Sequence, residues 1–343
     1  IGDSSLTKLY SMLVDYLWER YTKDGRPIVD IKDGQQKLVI ALGTIALAGL
    51  EKGKLLIDEG LIRDQLSELE EDLQEDKNQL RELIHDSGFL RATEVKREKP
   101  KTYRDSYFLH LTFQEYFAGK ELARRLFSAD EQERAFATDF LAAHQHEPHY
   151  GVMLTFMAGE AFKAQGLAGI KRVLSLLDPG NARDLKGLPK QLLRLRCANE
   201  CMGIDPKIIE SLDKDYKLSD QLIRFVAVSQ GYWKPEREEY RRIFYETLPA
   251  LGHLLDHVRI KAAEQGNVEV LYNLGEMYYY GSGIAKDKKK AFEWYKEAAE
   301  LGYDRAQYHL GWMYEEGRGV AKDHKEAFEW YQKAADQGNY SAF

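Results

Sequence analysis

Leu6, Leu9, Tyr10, Leu13, Leu17 and Trp18 recur at three- and four-residue steps between polar positions. That spacing predicts an amphipathic helix over residues 5–22, ended by Gly25-Arg26-Pro27. Residues 35–50 predict a second helix, with Leu38, Ile40, Ala41, Leu42, Ile45 and Ala46 on an apolar, small-residue face. A short linker over 53–57 follows, and residues 58–61 open another helical stretch. Over 61–85 a stripe of Ile62, Leu66, Leu69, Leu73, Leu80 and Ile84 runs among Glu and Asp: a helix with one buried and one solvated face, without the sustained heptads of a coiled coil. Asp86-Ser87-Gly88 breaks the pattern. Residues 89–95 and 103–111 read as two strands joined by a basic turn over 96–102. From Thr112 the period becomes helical again, through Phe113, Tyr116, Phe117, Leu122 and Leu126. Thr112 with Glu115 has the spacing of a capping box. His110 stands just before that helix start, where backbone N–H groups and the dipole favour an anion. Helices followed by a two-stranded wing form a winged-helix-like layout over residues 1–126.

Everything after residue 127 reads as helix. Over 127–257, helical hairpins are punctuated by Pro148, Pro179, Pro189, Pro206, Pro235 and Pro249, mostly where a helix would begin. This is a superhelical arm without a fixed period. From Ala262 a strict repeat sets in and runs through 258–343. Ala262-Ala263-Glu264-Gln265-Gly266-Asn267 returns at 298 and again at 334, a spacing of 36 residues. Tyr272-Asn273-Leu274-Gly275 matches Tyr308-His309-Leu310-Gly311, and Ala291-Phe292-Glu293-Trp294-Tyr295 matches Ala327-Phe328-Glu329-Trp330-Tyr331. Each position has a physical reason. Gly275 and Gly311 sit inside helices, where glycine costs ~1 kcal/mol against alanine; close approach of a second helix makes that cost tolerable. Gly281-x-Gly283 and Gly317-x-Gly319 suit tight reversals, Asp287 and Asp323 suit N-caps, and Gly266, Gly302 and Gly338 suit helix stops. The alanine pairs let the next hairpin stack, and Trp294 and Trp330 fill the volume between hairpins.

Composition narrows the function classes. A net charge of −7 over 343 residues, without basic blocks set among aromatics, argues against nucleic acid as main partner, and the longest apolar run, 38–50, is too short to span a membrane. Cys197 and Cys201 lie one helical turn apart and read as buried free thiols of a reducing, cytoplasmic compartment. No phosphate-loop pattern and no paired aspartates after an apolar strand occur, so no catalytic residue is assigned. His144, His146 and His149 with Glu147 read as a loop rather than a metal site, and no metal ligand is assigned. Arg183, Lys186, Lys190, Arg194 and Arg196 read as a solvated helix face. The chain opens on Ile1 and stops at Phe343 inside the repeat, so both ends look cut.

Two resemblances follow from these residues. The C-terminal pattern resembles the Sel-one-like repeat, a relative of the tetratricopeptide repeat, with Ile284 for Val the one soft departure. The resemblance implies an α-solenoid whose concave face binds a protein ligand; Tyr272, Tyr279, Tyr280, Tyr308 and Trp312 are the candidate contacts. Phe108, His110, Thr112, Phe113, Gln114, Glu115, Tyr116 and Phe117 resemble the end of a NACHT module of STAND signalling NTPases, with Gly119 where alanine is commoner. That resemblance implies that His110 senses the phosphate of ADP, and that ADP or ATP with Mg²⁺ is held by an upstream nucleotide-binding domain. It further implies homo-oligomerisation on activation and a role in innate immune or antiphage defence. The alternative is a nucleotide-independent protein–protein interaction scaffold.

Overall fold

A computed structural model describes residues 5–23, 31–73, 77–92, 105–145, 147–177, 188–222, 251–282 and 284–339. Its fold is mainly helical. The basic turn over 96–102, the Gly25-Arg26-Pro27 stop, and Pro179, Pro235 and Pro249 lie outside the described residues. Two compact units divide the chain: Ile1–Asp178 with Gly203–Asp205, and Pro179–Met202 with Pro206–Phe343.

In the first unit the order is α1 (Leu6–Lys23), α2 (Ile31–Glu51), β1 (Ile57–Asp58), α3 (Glu59–Leu73), α4 (Lys77–Asp86), β2 (Leu90–Ala92), β3 (Asp105–Phe108), α5 (Leu111–Leu126), α6 (Glu131–His144) and α7 (Gly151–Leu176). The sheet has three strands in the order β1-β3-β2, all antiparallel, rather than the two expected. The added strand takes the last residue expected as linker and the first expected as helix: Ile57 pairs with Ser106 and Asp58 with Asp105. Two residues carry no readable alternation, so only the partner strand defines this one. The sheet is thus larger than the two-stranded wing expected within residues 1–126.

Helix α5 is the centre of this unit, clasped on two sides through glycines. Gly43 of α2 lies where a Cβ would come within 2.7 Å of Glu121 Cβ and 3.0 Å of the Phe117 carbonyl. Gly119 faces α7 so closely that a Cβ would stand 2.5 Å from the Met153 carbonyl oxygen. Between these approaches the aromatic side chains of α5 close the core. Phe113 meets Tyr10 at 5.1 Å, Phe117 meets Phe89 at 5.2 Å, and Tyr116 meets Phe156 at 5.3 Å, each edge to face. Glu121 is buried and held by both Arg124 (2.8 Å) and Arg125 (2.7 Å), so its charge is paired rather than stranded. On the outside of α1, Leu6, Leu9, Met12, Leu13 and Tyr16 are exposed.

The second unit contains α8 (Leu188–Ile204, up to Met202), α9 (Ile209–Tyr216), α10 (Gly252–Glu264), α11 (Val268–Tyr280), α12 (Lys288–Glu300), α13 (Asp304–Glu316) and α14 (His324–Asp336). Pro206 opens a short 3-10 turn before α9, and Pro189 falls in the first turn of α8. Asp213 ties α9 to α10. Its Oδ1 accepts from the Ser219 amide at 2.7 Å, and its Oδ2 pairs with Lys261 at 2.5 Å. From α11 onward the helices stand in antiparallel pairs as expected. Asp287 accepts from the Lys289 and Lys290 amides (2.9 and 3.1 Å), and Asp323 repeats this with Lys325 and Glu326. Gly275 and Gly311 leave room for the rings of Tyr295 and Tyr331, where a Cβ would stand 2.7 and 2.9 Å away. Gly266, Gly302 and Gly338 all take positive φ at the helix stops.

Candidate functional site

Two regions carry the candidate residues. The first is the corner at the start of α5. The helix begins two residues earlier than a capping box at Thr112 requires, and His110 itself is the N-cap. His110 Nδ1 accepts from the Thr112 amide at 3.1 Å and lies 2.8 Å from the Thr112 hydroxyl. The expectation failed because histidine is not among the usual N-cap residues, whereas Thr-x-x-Glu is a familiar signature. The His110 ring is exposed. Most of the motif that follows is core. Phe113, Tyr116 and Phe117 are buried in the cluster above, and buried Gln114 donates to the Lys54 carbonyl at 3.3 Å. Burial, with the Glu160 carboxylate nearby, holds the Tyr116 phenol well above its ordinary pKa.

The second region is the repeat face formed by α11 and α13, the first helix of each pair. Tyr272, Tyr308 and Trp312 are half-buried, Tyr280 is 60% exposed, and Tyr279 is buried. The rings form a connected band. Tyr272 lies 5.6 Å from Tyr295 and 5.3 Å from Tyr303, Tyr279 lies 5.4 Å from Trp312, and Tyr308 lies 5.6 Å from Tyr331. Polar tips are satisfied within the band: Tyr295 donates to Glu276, and Tyr331 donates to Glu315 at 2.8 Å. The different acceptors have a sequence cause. Trp312 occupies in the second repeat the position that Glu276 holds in the first, so Tyr331 finds its carboxylate at Glu315 instead. Tyr279 is buried rather than displayed because Arg318, from the following repeat, donates to its hydroxyl at 2.7 Å. Nothing local to Tyr279 announces that contact.

His309, which no pattern singled out, sits inside this band. Its Nε2 is 3.1 Å from the Tyr272 hydroxyl, and its ring stacks on Tyr295 at 5.3 Å. Burial depresses its pKa below the ordinary value of 6.5, against the opposing pull of Glu276. Its contribution is therefore complete above about pH 6.5 and is lost as pH falls through the depressed folded-state value, because the unfolded chain takes up the proton more readily. Thermal melts of the chain should lose stability below about pH 6.5, and His309→Gln should flatten that slope. Equal slopes in the two proteins would refute the assignment.

The remaining candidates resolve into structure. Cys197 and Cys201 are buried and form no disulfide; burial pushes Cys197 up to about 12 and Cys201 well above its ordinary value, so neither is a nucleophile near neutrality. Arg194, expected on a solvated face, is instead buried with its guanidinium 5.3 Å from the Tyr216 ring. Charge type alone reads as surface, and the aromatic partner 22 positions on was not visible. Arg183 and Lys186 lie outside the described residues, as does His146. His144 and His149 flank Glu147 at 2.8 and 3.5 Å. No group of three or more metal-ligating side chains occurs among the described residues. Nor is any helix among them long and apolar enough to cross a membrane.

The Sel1 repeat family matches residues 268–303 and 304–339, which coincide with the α11–α12 and α13–α14 pairs. An uncharacterized Sel1-like repeat-containing protein of Schizosaccharomyces pombe is 28% identical over 87 residues, covering 25% of this chain; the chain spans 11% of that protein's length. A crystal structure of a Sel1 repeat protein from Oxalobacter formigenes is 34% identical, covering 40% of this chain and 93% of its own, at a TM-score of 0.27. A protective antigen of uropathogenic Escherichia coli strains, displaying an SLR fold, is 18% identical over 96% of this chain and 69% of its own, at a TM-score of 0.26.

Proposed function

We propose, for a chain whose C-terminal segment is built of Sel1 repeats, that this protein is a nucleotide-independent scaffold that binds another protein on the α11 and α13 face, without catalysis of its own. The observation that supports this reading is the band of half-exposed Tyr272, Tyr308 and Trp312 with exposed Tyr280. Rings already packed side by side lose little freedom on binding and supply large contact area, which is why Tyr and Trp dominate interface hot spots. Tyr279 serves as the floor of the band rather than as a contact. The proposed setting is cytoplasmic, in keeping with two buried cysteines that form no disulfide.

Selection of a displayed peptide pool on the chain tests this. A selected peptide should lose at least tenfold in affinity with Tyr280→Ala and Trp312→Ala combined, and should be indifferent to ADP or ATP with Mg²⁺. Binding untouched by those substitutions would refute the reading.

A second reading draws on the exposure of His110 at the start of α5. There the winged-helix-like part gates ADP held by an upstream nucleotide-binding domain of a NACHT-type protein that homo-oligomerises in immune or antiphage signalling. The commitment of Nδ1 to Thr112 weighs against it. Unchanged ADP content of the intact protein after His110→Ala would remove it.

A further inference from the structure

One edge of the repeat face differs in charge from the rest of this acidic chain. The second interhelical loop lies there. Gly319 is seated so tightly that a Cβ would stand 2.1 Å from the Lys288 carbonyl oxygen, which brings the second loop down onto the start of α12. Seating that loop fixes Arg318. Its guanidinium lies 4.4 Å over Trp312 while Nη1 donates to Tyr279 at 2.7 Å. The ammonium groups of Lys286 and Lys288 each stand 5.9 Å from the centre of the Tyr279 ring. Three cations thus gather around one aromatic floor, with exposed Tyr280 packed against Tyr279 at 5.0 Å.

Among the described residues no carboxylate lies within ion-pair distance of Lys286 or Lys288. Glu316 reaches Arg318 only at 3.7 Å, and Asp287 and Asp323 are engaged as helix caps. The sequence Lys288-Lys289-Lys290 also places three cations in the first turn of α12, where the helix dipole disfavours positive charge. In the second repeat the same positions are His324, Lys325 and Glu326, so the helix pair does not need three lysines for its fold. Local electrostatics here runs against stability, a departure expected where a surface serves recognition.

We infer that Tyr279, Tyr280, Lys286, Lys288, Trp312 and Arg318 form a recognition edge for a carboxylate-rich, extended segment of a partner protein. The inference rests on the scaffold reading and adds the partner's chemistry. Arg318 is held by ring and hydroxyl yet keeps 37% of its side chain exposed, so it presents donors to a carboxylate with little left to order. Tyr280 and Trp312 supply apolar contact between the charges. Nucleic acid is the competing occupant, and it is one outcome of the test.

Fluorescence anisotropy on the full chain tests this with three labelled probes: a ten-residue peptide of Asp, Glu and two aromatics, its Lys-substituted counterpart, and a single-stranded oligonucleotide. The acidic peptide should bind, and bind tighter at lower salt. Lys286→Glu with Lys288→Glu should weaken it at least tenfold while the thermal melt stays in place. No binding of the acidic peptide, preference for either other probe, or indifference to charge reversal would overturn the inference. The displayed pool separates the two claims. Enrichment of neutral or basic peptides that need Tyr280 and Trp312 leaves the scaffold reading standing and the recognition edge refuted; enrichment of none refutes both.

Discussion

Gly119→Ala should destabilise the first unit, although alanine is the better helix former. Two effects oppose one another. Replacing an interior helical glycine by alanine favours the helix by about 1 kcal/mol. Against this, the new methyl group would stand 2.5 Å from the Met153 carbonyl oxygen, 3.0 Å from the Met157 amide nitrogen and 3.0 Å from Phe156 Cβ. Two of those three are backbone atoms of α7, so no rotamer change relieves the overlap. The helices would have to separate, but α5 cannot move toward α2 because Gly43 already brings that helix against Phe117 and Glu121. Separation would also open the Tyr116–Phe156 contact. Overpacking of this kind costs about 3 kcal/mol or more where relaxation is blocked. The net loss should be about 2 kcal/mol, a fall in Tm of roughly 4–8 °C for a unit of this size. Valine should be worse than alanine. A Tm equal to or above that of the parent protein would mean that helix propensity wins and that the close approach of α5 to α7 is wrong.

How far the sequence reveals the fold depends on whether a residue's task is local. Asp287, Asp323, Gly266, Gly302 and Gly338 cap or stop their own helices, so spacing alone identifies them, and a 36-residue period doubles the signal. Gly275 and Gly311 were readable for the same reason: each recurs opposite a tyrosine that also recurs. Where the partner is distant, the reading fails. Ile57 and Asp58 become a strand only through Ser106 and Asp105. Arg194 is buried with its guanidinium near the Tyr216 ring, a contact no local pattern shows. Tyr279 is a candidate contact by composition and a floor by structure, since Arg318 reaches it across 39 positions. His110 is a subtler case. Its placement before a helix was legible, but the cap role passed to it from Thr112 because the chain turns into α5 two residues sooner.

The second large effect concerns two tryptophans that the repeat writes identically. Trp294→Ala should cost about 4 kcal/mol and Trp330→Ala about half that, as measured by denaturant midpoints at constant slope. Trp294 is 2% exposed, stacked on Tyr278 at 6.3 Å, with the Arg259 guanidinium 6.0 Å from its ring. It therefore joins α10, α11 and α12. Trp330 is 9% exposed and carries the Lys333 ammonium 3.7 Å over its face. The neighbouring phenylalanines show the same asymmetry. Phe292 packs edge-on against Tyr314 of the following helix at 5.3 Å, whereas Phe328 is 67% exposed. In a stacked array stability is the sum of hairpin terms and nearest-neighbour interfaces. Removing an inner tryptophan weakens the interface on each side of its hairpin; removing one from the last described pair weakens a single side. Equal losses for the two variants would show that each pair is stabilised internally and that coupling between neighbours contributes little. A larger loss for Trp294, accompanied by a shallower denaturant slope, would show instead that the array parts at that interface before it unfolds.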